Sequence, residues 1–308
     1  MVKRANDAPA KPLFRKILIA NDSLQGMDIA LEKAALIEHF SGAAIEVAEV
    51  IYDTIAEEPE AVLPRPQQAA LIEGLKAAER KGLRRLIEPY ESRVADLSCS
   101  VLWNKQAAKG VLDALNGVDL LIKPVSQHKI LLDRLQAPLD WSLMRAAPCP
   151  VLISKQPWPV TRHVVAALDA ADTTHAALNR VILEHADQNA RILGCDLHVV
   201  SAYPSLGQTV NELQVAMDYA GIKKDMRESR AKFIESLVTE VGAAVTRIHL
   251  LEGRARDVIP GMANELGAAV TVLGTAARRG LSQLIIGNTA EAIISALNSD
   301  VITVRESG

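Results

Sequence analysis

A glycine-rich segment near the end of the 308-residue chain has the residue types that bind phosphate. It begins with Gly274 and Thr275 after an apolar run, and it ends with Gly287, Asn288 and Thr289 where a helical pattern starts. Glycines let a ligand approach the backbone closely, and the free N–H groups at a helix N-terminus attract phosphate. Two adjacent arginines inside the segment add positive charge. The segment therefore predicts a phosphate cradle.

The same residues also fit a structural role without any ligand. Asn288, with Glu291 three residues later, matches a capping box, so Asn288 could cap the last helix while Gly287 makes a turn. Arg278 and Arg279 fit the solvated surface of a loop equally well. Spacing alone does not decide between a phosphate cradle and a helix cap.

Short apolar runs alternate with longer helical patterns around this segment and throughout the chain. The runs are continuous in Val, Ile and Leu rather than alternating with polar residues, which is typical of strands that are buried on both faces. Strand–helix alternation then predicts an α/β fold, in which helices cover both faces of a parallel sheet. The predicted strands are 16–22, 44–52, 97–103, 119–122, 150–154, 163–169, 195–203, 245–251, 270–273 and 301–304. In the second half, the predicted helices are 173–192, 212–241, 258–266 and 289–297.

The chain contains two copies of one unit, about 150 residues apart. Three pairs of segments carry the repeat: 17–22 with 164–169, 120–122 with 271–273, and 151–154 with 301–304. Two prolines at 156–159 block regular structure and indicate a linker. We predict a flexible tail at 1–12, a first domain at 13–155, a linker at 156–161 and a second domain at 162–308. Each domain is expected to be a doubly wound, five-stranded parallel sheet.

The composition excludes several classes of protein. A net charge of −3 without Lys/Arg blocks argues against a nucleic-acid binder. No run of about 18 uncharged apolar residues occurs, so we expect no membrane-spanning helix. Three scattered cysteines are too few for a disulfide framework, and the N-terminal segment lacks the apolar core of a secretory signal. We expect a soluble, cytoplasmic protein.

The second copy resembles a universal stress protein domain, whose ATP loop has the pattern Gly-x2-Gly-x9-Gly-Ser/Thr. Gly274 matches the first glycine and Gly287 the last, whereas Ala277 stands in place of the second glycine and Asn288 in place of Ser/Thr. The resemblance extends over about 14 to 305. The paired copies, the linker and segment 140–145 make it most similar to the tandem members of the E subgroup. It implies a Rossmann-like fold of the HUP type.

The resemblance also implies which residues contact a nucleotide. Asp169, at the end of the first strand of its copy, would face the adenosine part, and segment 201–204 would lie beside the adenine. An Asp at this position also fits a cap of the following turn, and for Asp22 in the first copy we favour that role. The complete set of candidates for nucleotide binding is Asp169, Ala202, Gly253, Gly274, Thr275, Gly280, Gly287, Asn288 and Thr289.

The first copy departs from the family pattern. Lys123 occupies the place of the first glycine, and no glycine occurs from 123 to 154. Ala137 and Pro138 stand where the second copy has its last glycine and Asn288, and proline lacks an N–H donor. We therefore expect ATP or a related nucleotide to bind mainly in the second domain.

Three functions remain open at this point. The first is a tandem universal stress protein of a bacterial-type stress response that binds a nucleotide-like ligand. In this case the two copies pack through their edge strands as an intramolecular pseudo-dimer, and the protein partners and homodimerisation stay unspecified. The second is a scaffold that has lost nucleotide binding. The third is a slow ATPase with at most weak hydrolysis, because the sequence offers neither a convincing general base nor Walker-type metal ligands.

The seven histidines of the chain are scattered. No two of them form an HxxxH or HxH pair, so local spacing predicts no metal site. Histidines that are distant in sequence could still converge in the fold, and the sequence does not decide this.

Overall fold

Ten strands form one continuous sheet. The computed structural model describes residues 14–22, 26–125, 138–160, 162–171, 173–205, 219–275 and 287–306. The strands are β1 Lys16–Asn21, β2 Ala44–Ile51, β3 Leu97–Trp103, β4 Leu120–Pro124, β5 Val151–Ser154, β6 His163–Ala167, β7 Asp196–Tyr203, β8 Val245–Glu252, β9 Ala268–Gly274 and β10 Asp300–Val304. Every strand lies within two residues of its predicted bounds.

Helices connect the strands. Within the described residues they are α1 Met27–Ser41, α2 Arg65–Ile87, α3 Ala107–Asp113, α4 Pro138–Ala146, α5 Ala176–Leu193, α6 Tyr219–Val241, α7 Ala255–Glu265 and α8 Asn288–Ala296. Short 3-10 turns occur at Thr54–Glu57, Glu88–Tyr90 and Thr173–His175. The last of these turns delays the helix that was predicted from residue 173. No described helix is long and apolar enough to cross a membrane.

The sheet consists of two halves with the same strand order. The order across it is β3-β2-β1-β4-β5-β10-β9-β6-β7-β8. All pairs within a half are parallel, whereas β5 and β10 pair antiparallel and join the halves. The predicted fold, two tandem doubly wound five-stranded domains, is confirmed, and the two copies meet along their edge strands as expected.

The two faces of the sheet carry separate apolar cores. In β1, Ile17 and Ile19 belong to one core, while Leu18 and Ala20 belong to the other. Residues of β4, β5 and β10 are buried throughout, because helices cover these strands on both sides. Continuous apolar runs follow from this double burial.

The strand register corrects one feature of the predicted repeat. β4 pairs Pro124 with Ser154, and β9 pairs Gly274 with Val304 in the same position. Pro124 is therefore the counterpart of Gly274. The repeat in the sequence pairs Lys123 with Gly274, which is one residue out of register. In the structure Lys123 corresponds to Leu273.

A buried polar network lies where the halves join. The Lys33 ammonium lies 2.5 Å from the Asp300 carboxylate and 2.9 Å from the Ser154 hydroxyl. Asp300 also accepts hydrogen bonds from the Trp158 indole at 2.7 Å and the Lys155 backbone N–H at 2.8 Å. Lys33 and Asp300 are almost completely buried. Each charge therefore depends on the other, since a buried charge without a partner is very costly.

We expect Lys33→Met to lower the free energy of unfolding by about 3–5 kcal/mol, because it leaves the Asp300 carboxylate buried without its cation. The double variant Lys33→Met/Asp300→Asn should recover part of that loss. Urea unfolding monitored by circular dichroism measures both. Lys109→Met serves as the control, because its partner Asp113 is an exposed residue one helical turn away. A Lys33→Met protein as stable as its parent would contradict this account.

His185 of α5 also contributes to the junction, and its environment predicts an acid-sensitive fold. Its ring lies 6.0 Å from that of Phe14, and burial lowers the pKa of His185 from 6.5 to about 4. The unfolded chain therefore binds a proton more readily than the folded one between these pH values, so stability falls as pH drops from 6.5 towards 4. The difference amounts to about 3 kcal/mol. Urea unfolding at a series of pH values should show a smaller acid loss for His185→Leu than for the parent.

Candidate functional site

A cavity of about 280 Å³ lies at the carboxyl ends of β6 and β9. The winding of the second half reverses between these two strands. In open α/β sheets, ligands bind at such a switch point. The volume is close to the lower end of the range for small-molecule sites, about 300–1,000 Å³.

Apolar residues form most of the cavity wall, and a few polar groups complete it. Asp169, His175 and Asn179 are the polar residues that follow β6. The apolar wall consists mainly of Leu178, Ile182, Ala255, Ile259, Leu273, Ala290 and Ile293. Such a combination accommodates a flat or aliphatic group inside and hydrogen-bonding substituents at the rim.

Asp169 is held in place by its neighbours while its side chain stays half exposed. Its Oδ1 accepts the N–H of Ala171 at 3.0 Å, and its Oδ2 lies 3.0 Å from Nδ1 of His175. The Asn179 amide fixes the Asp169 backbone through two hydrogen bonds, of 2.7 and 3.2 Å. Asp169 therefore caps the turn, as the structural alternative proposed, and also presents a carboxylate to the cavity.

Gly274 ends β9 and lines the cavity, but its lack of a side chain has a local cause. A methyl group at this position would lie 2.6 Å from Cδ2 of Leu178. The Leu178 side chain of α5 therefore favours glycine here, because a larger residue would require Leu178 to move.

Gly287 and Thr289 also line the cavity, at the start of α8. Gly287 occupies the N-cap position, and Asn288 is the first helical residue. The interpretation of Asn288 as the cap is therefore wrong. The Glu291 carboxylate accepts a 2.7 Å hydrogen bond from Arg145, which links α8 to the first half.

Ala202 completes the group of predicted residues that meet at the cavity: Asp169, Ala202, Gly274, Gly287 and Thr289. The Ala202 carbonyl already accepts a 2.6 Å hydrogen bond from Arg230. The sequence analysis missed His175 and Asn179. Their position at the start of the helix that follows the Asp169 turn was the available signal.

Three predicted residues that the structure describes lie elsewhere. Thr275 is buried and its hydroxyl lies 3.3 Å from the Val304 carbonyl, so it faces β10 rather than the cavity. Gly253 has a φ of 139° and donates its N–H to the Tyr203 carbonyl, which makes it a turn residue. Asn288 is exposed and does not line the cavity. The remaining residues of the predicted loop, Gly280, Ala277, Arg278 and Arg279, lie outside the described residues.

The equivalent place in the first half contains a buried lysine. The Lys123 ammonium lies 2.9 Å from Asp22 and 3.5 Å from Asp140, and it donates a 2.7 Å hydrogen bond to the Pro124 carbonyl. Asp22 corresponds to Asp169. Asp22 forms an ion pair with Lys123, whereas Asp169 faces the cavity. The role favoured for Asp22, a turn cap, omitted this ion pair.

We expect Lys123→Leu to destabilise the protein by about 3 kcal/mol or more, because two carboxylates lose a buried cation. Lys123→Leu/Asp140→Ala should recover stability, since it reproduces the Leu273 and Ala290 of the second half. Urea unfolding of the two variants decides the question. Equal stability of the single and double variants would show that Asp140 does not depend on Lys123.

A sequence model described as the universal stress protein family matches residues 13–155 and 161–305. "Universal stress protein E" of Photorhabdus laumondii is 28% identical over 96% of this chain and 96% of its own length. A solved structure from Pseudomonas aeruginosa UCBPP-PA14, named as a universal stress protein on a provisional basis, is 29% identical. It covers 96% of this chain and 95% of its own, with a TM-score of 0.71.

A shorter universal stress protein solved in complex with cAMP is 18% identical and covers 48% of this chain and 98% of its own. Its TM-score is 0.32, and at that score the match has no bearing on what this chain binds.

Proposed function

The chain belongs to the universal stress protein family as a tandem of two family domains, and from this we propose that its second domain binds a nucleotide-like ligand, ATP or a related nucleotide. The observation that carries the proposal is the convergence of Asp169, Gly274, Gly287 and Thr289 on one cavity at the winding switch point. We further propose that the ligand serves a stress response in the cytoplasm.

Different regions of the cavity wall suit the base, the ribose and the phosphate of a nucleotide. The apolar interior suits a base, and the Asp169 carboxylate at the mouth accepts hydrogen bonds from ribose hydroxyls. The first turn of α8 directs backbone N–H groups that have no partner within the helix towards the same side, where they suit phosphate. Thr289 adds a hydroxyl to that turn.

We propose binding rather than turnover as the function. Among the described residues of the cavity wall, the acid–base groups are Asp169 and His175, which lie 3.0 Å apart at its mouth. Each already contacts the other, and Asp169 also holds the turn. We therefore propose at most slow hydrolysis, because Asp169 is the one carboxylate of the described wall and has no second carboxylate beside it to hold a catalytic metal ion.

A second role, as an interaction scaffold, is favoured for the first domain by one observation. Lys123, Asp22 and Asp140 form an ion-paired cluster at positions equivalent to Leu273, Asp169 and Ala290, which line the cavity of the second domain. Ion pairing within the protein replaces a ligand there, so this domain would contribute surface and the junction with its partner domain.

Equilibrium binding of ATP to the purified full-length protein tests the proposal, with Gly287→Val as the diagnostic variant. A Cβ placed on Gly287 has no atom of the described residues within 4 Å, and the φ of −65° suits any residue, so the fold should tolerate valine. The added methyl groups narrow the cavity mouth. We expect saturable binding by the parent and at least tenfold weaker binding by Gly287→Val.

Gly261→Val is the matched control, because it adds the same side chain to an exposed position of α7 that does not line the cavity. It should bind ATP like the parent. Native mass spectrometry of protein purified without added ligand would identify a retained nucleotide directly. Absence of binding of ATP, ADP and AMP by the parent would favour the scaffold role for both domains.

A further inference from the structure

Three histidines and an aspartate meet near the amino-terminal ends of β6 and β7 and beside the middle of β8. This edge of the second domain lies opposite its cavity. His163 begins β6 and pairs with Asp196, which begins β7. His198 lies two residues further along β7 and therefore on the same face. His249 of β8 pairs with Val200, so it lies diagonally from His198 on that face. The register of a parallel sheet thus assembles residues that are up to 86 positions apart in the sequence.

The potential ligand atoms of His163, Asp196 and His198 all lie within 4.8 Å of one another. The rings of His163 and His198 contact edge to face, with centroids 5.0 Å apart. Nδ1 of His163 and Nε2 of His198 are buried, and neither has a hydrogen-bond partner among the described residues. A buried polar atom without a partner is costly and needs an explanation, such as an ion.

His249 holds the ring of His198 from the other side. Its Nε2 lies 3.0 Å from Nδ1 of His198. With the shared proton on Nδ1 of His198, Nε2 of the same ring carries a lone pair that is available to a metal ion. Metal-binding histidines use this arrangement, in which a hydrogen bond from the second ring nitrogen fixes the tautomer and the orientation.

We propose that His163, Asp196 and His198 bind a divalent transition-metal ion of the zinc type, with His249 as a positioning residue. Two imidazole nitrogens and one carboxylate oxygen are ligands that Zn²⁺ accepts, whereas Mg²⁺ and Ca²⁺ prefer oxygen alone. Three protein ligands leave a fourth position for water or for an exogenous group. This site is separate from the cavity and does not depend on nucleotide binding.

The surroundings set the expected strength of the site. Asp196 is exposed and its Oδ1 accepts a 3.1 Å hydrogen bond from Thr246, so a small rotation brings its carboxylate to the ion. The ligand atoms must also move closer, because zinc bonds are about 2.0–2.1 Å long. Arg247 lies near both His198 and His249 and opposes a cation. We expect binding weaker than that of a closed structural zinc site.

Zinc titration of the full-length protein tests the proposal, after treatment with EDTA and without a polyhistidine tag. Competition with a chromophoric chelator measures affinity and stoichiometry, and Co²⁺ absorption reports the geometry of the site. We expect one Zn²⁺ per chain. Asp196→Asn and His163→Ala should each weaken binding at least tenfold, and His249→Ala should weaken it about tenfold through the orientation of His198.

His39→Ala is the matched control, because it removes an exposed imidazole in the first domain and should leave zinc affinity unchanged. Asp196→Asn changes an exposed side chain, so it reports on binding even if the histidine variants fold poorly; circular dichroism checks the fold of each. The proposal is overturned if the parent binds no Zn²⁺, or if Asp196→Asn binds it as tightly as the parent. A loss shared equally by His39→Ala would also overturn it.

Discussion

The antiparallel pairing of β5 with β10 is the constraint on which the rest of this molecule depends. It joins two parallel sheets into one, and it places Asp300, the first residue of β10, in a position that water does not reach. The carboxylate is satisfied by Lys33 of the first half and by Trp158 of the linker. The linker thus does more than connect the domains, because its indole closes the polar network at their junction.

The same pairing determines where the functional sites lie. Because the halves run antiparallel, their carboxyl edges face opposite ends of the continuous sheet. The cavity of the second domain and the Lys123 cluster of the first therefore lie at different ends. The histidine cluster, at the amino edge of the second domain, lies at the same end as the Lys123 cluster. One sheet thus separates the cavity of the second domain from the Lys123 cluster and the histidine cluster.

The fold could be predicted from the sequence because each strand is marked by a local apolar run, and the pattern of runs occurs twice. Doubly buried strands need continuous apolar runs, and these runs located the strands closely. The site was only partly predictable. Gly274 and Thr275 are adjacent, yet Gly274 lines the cavity whereas Thr275 faces β10. The sequence does not specify which of the two residues faces the cavity. The sequence repeat, taken one residue out of register, hid the fact that Lys123 is the counterpart of Leu273. The histidines are far apart in the sequence, and only the register of the strands brings them together.

The glycines of the candidate site differ in whether backbone conformation and packing explain them without a ligand. Gly253 adopts a φ that disfavours other residues, and a side chain at Gly274 would displace Leu178, so the fold offers a reason for glycine at both positions. Gly287 has an ordinary φ and open space around it, so neither strain nor packing among the described residues demands glycine there. A side chain at Gly287 would intrude on the cavity and on nothing else that is described. The ligand that we propose for the cavity would supply a reason for the small size of Gly287, which makes Gly287 the most informative position of the motif.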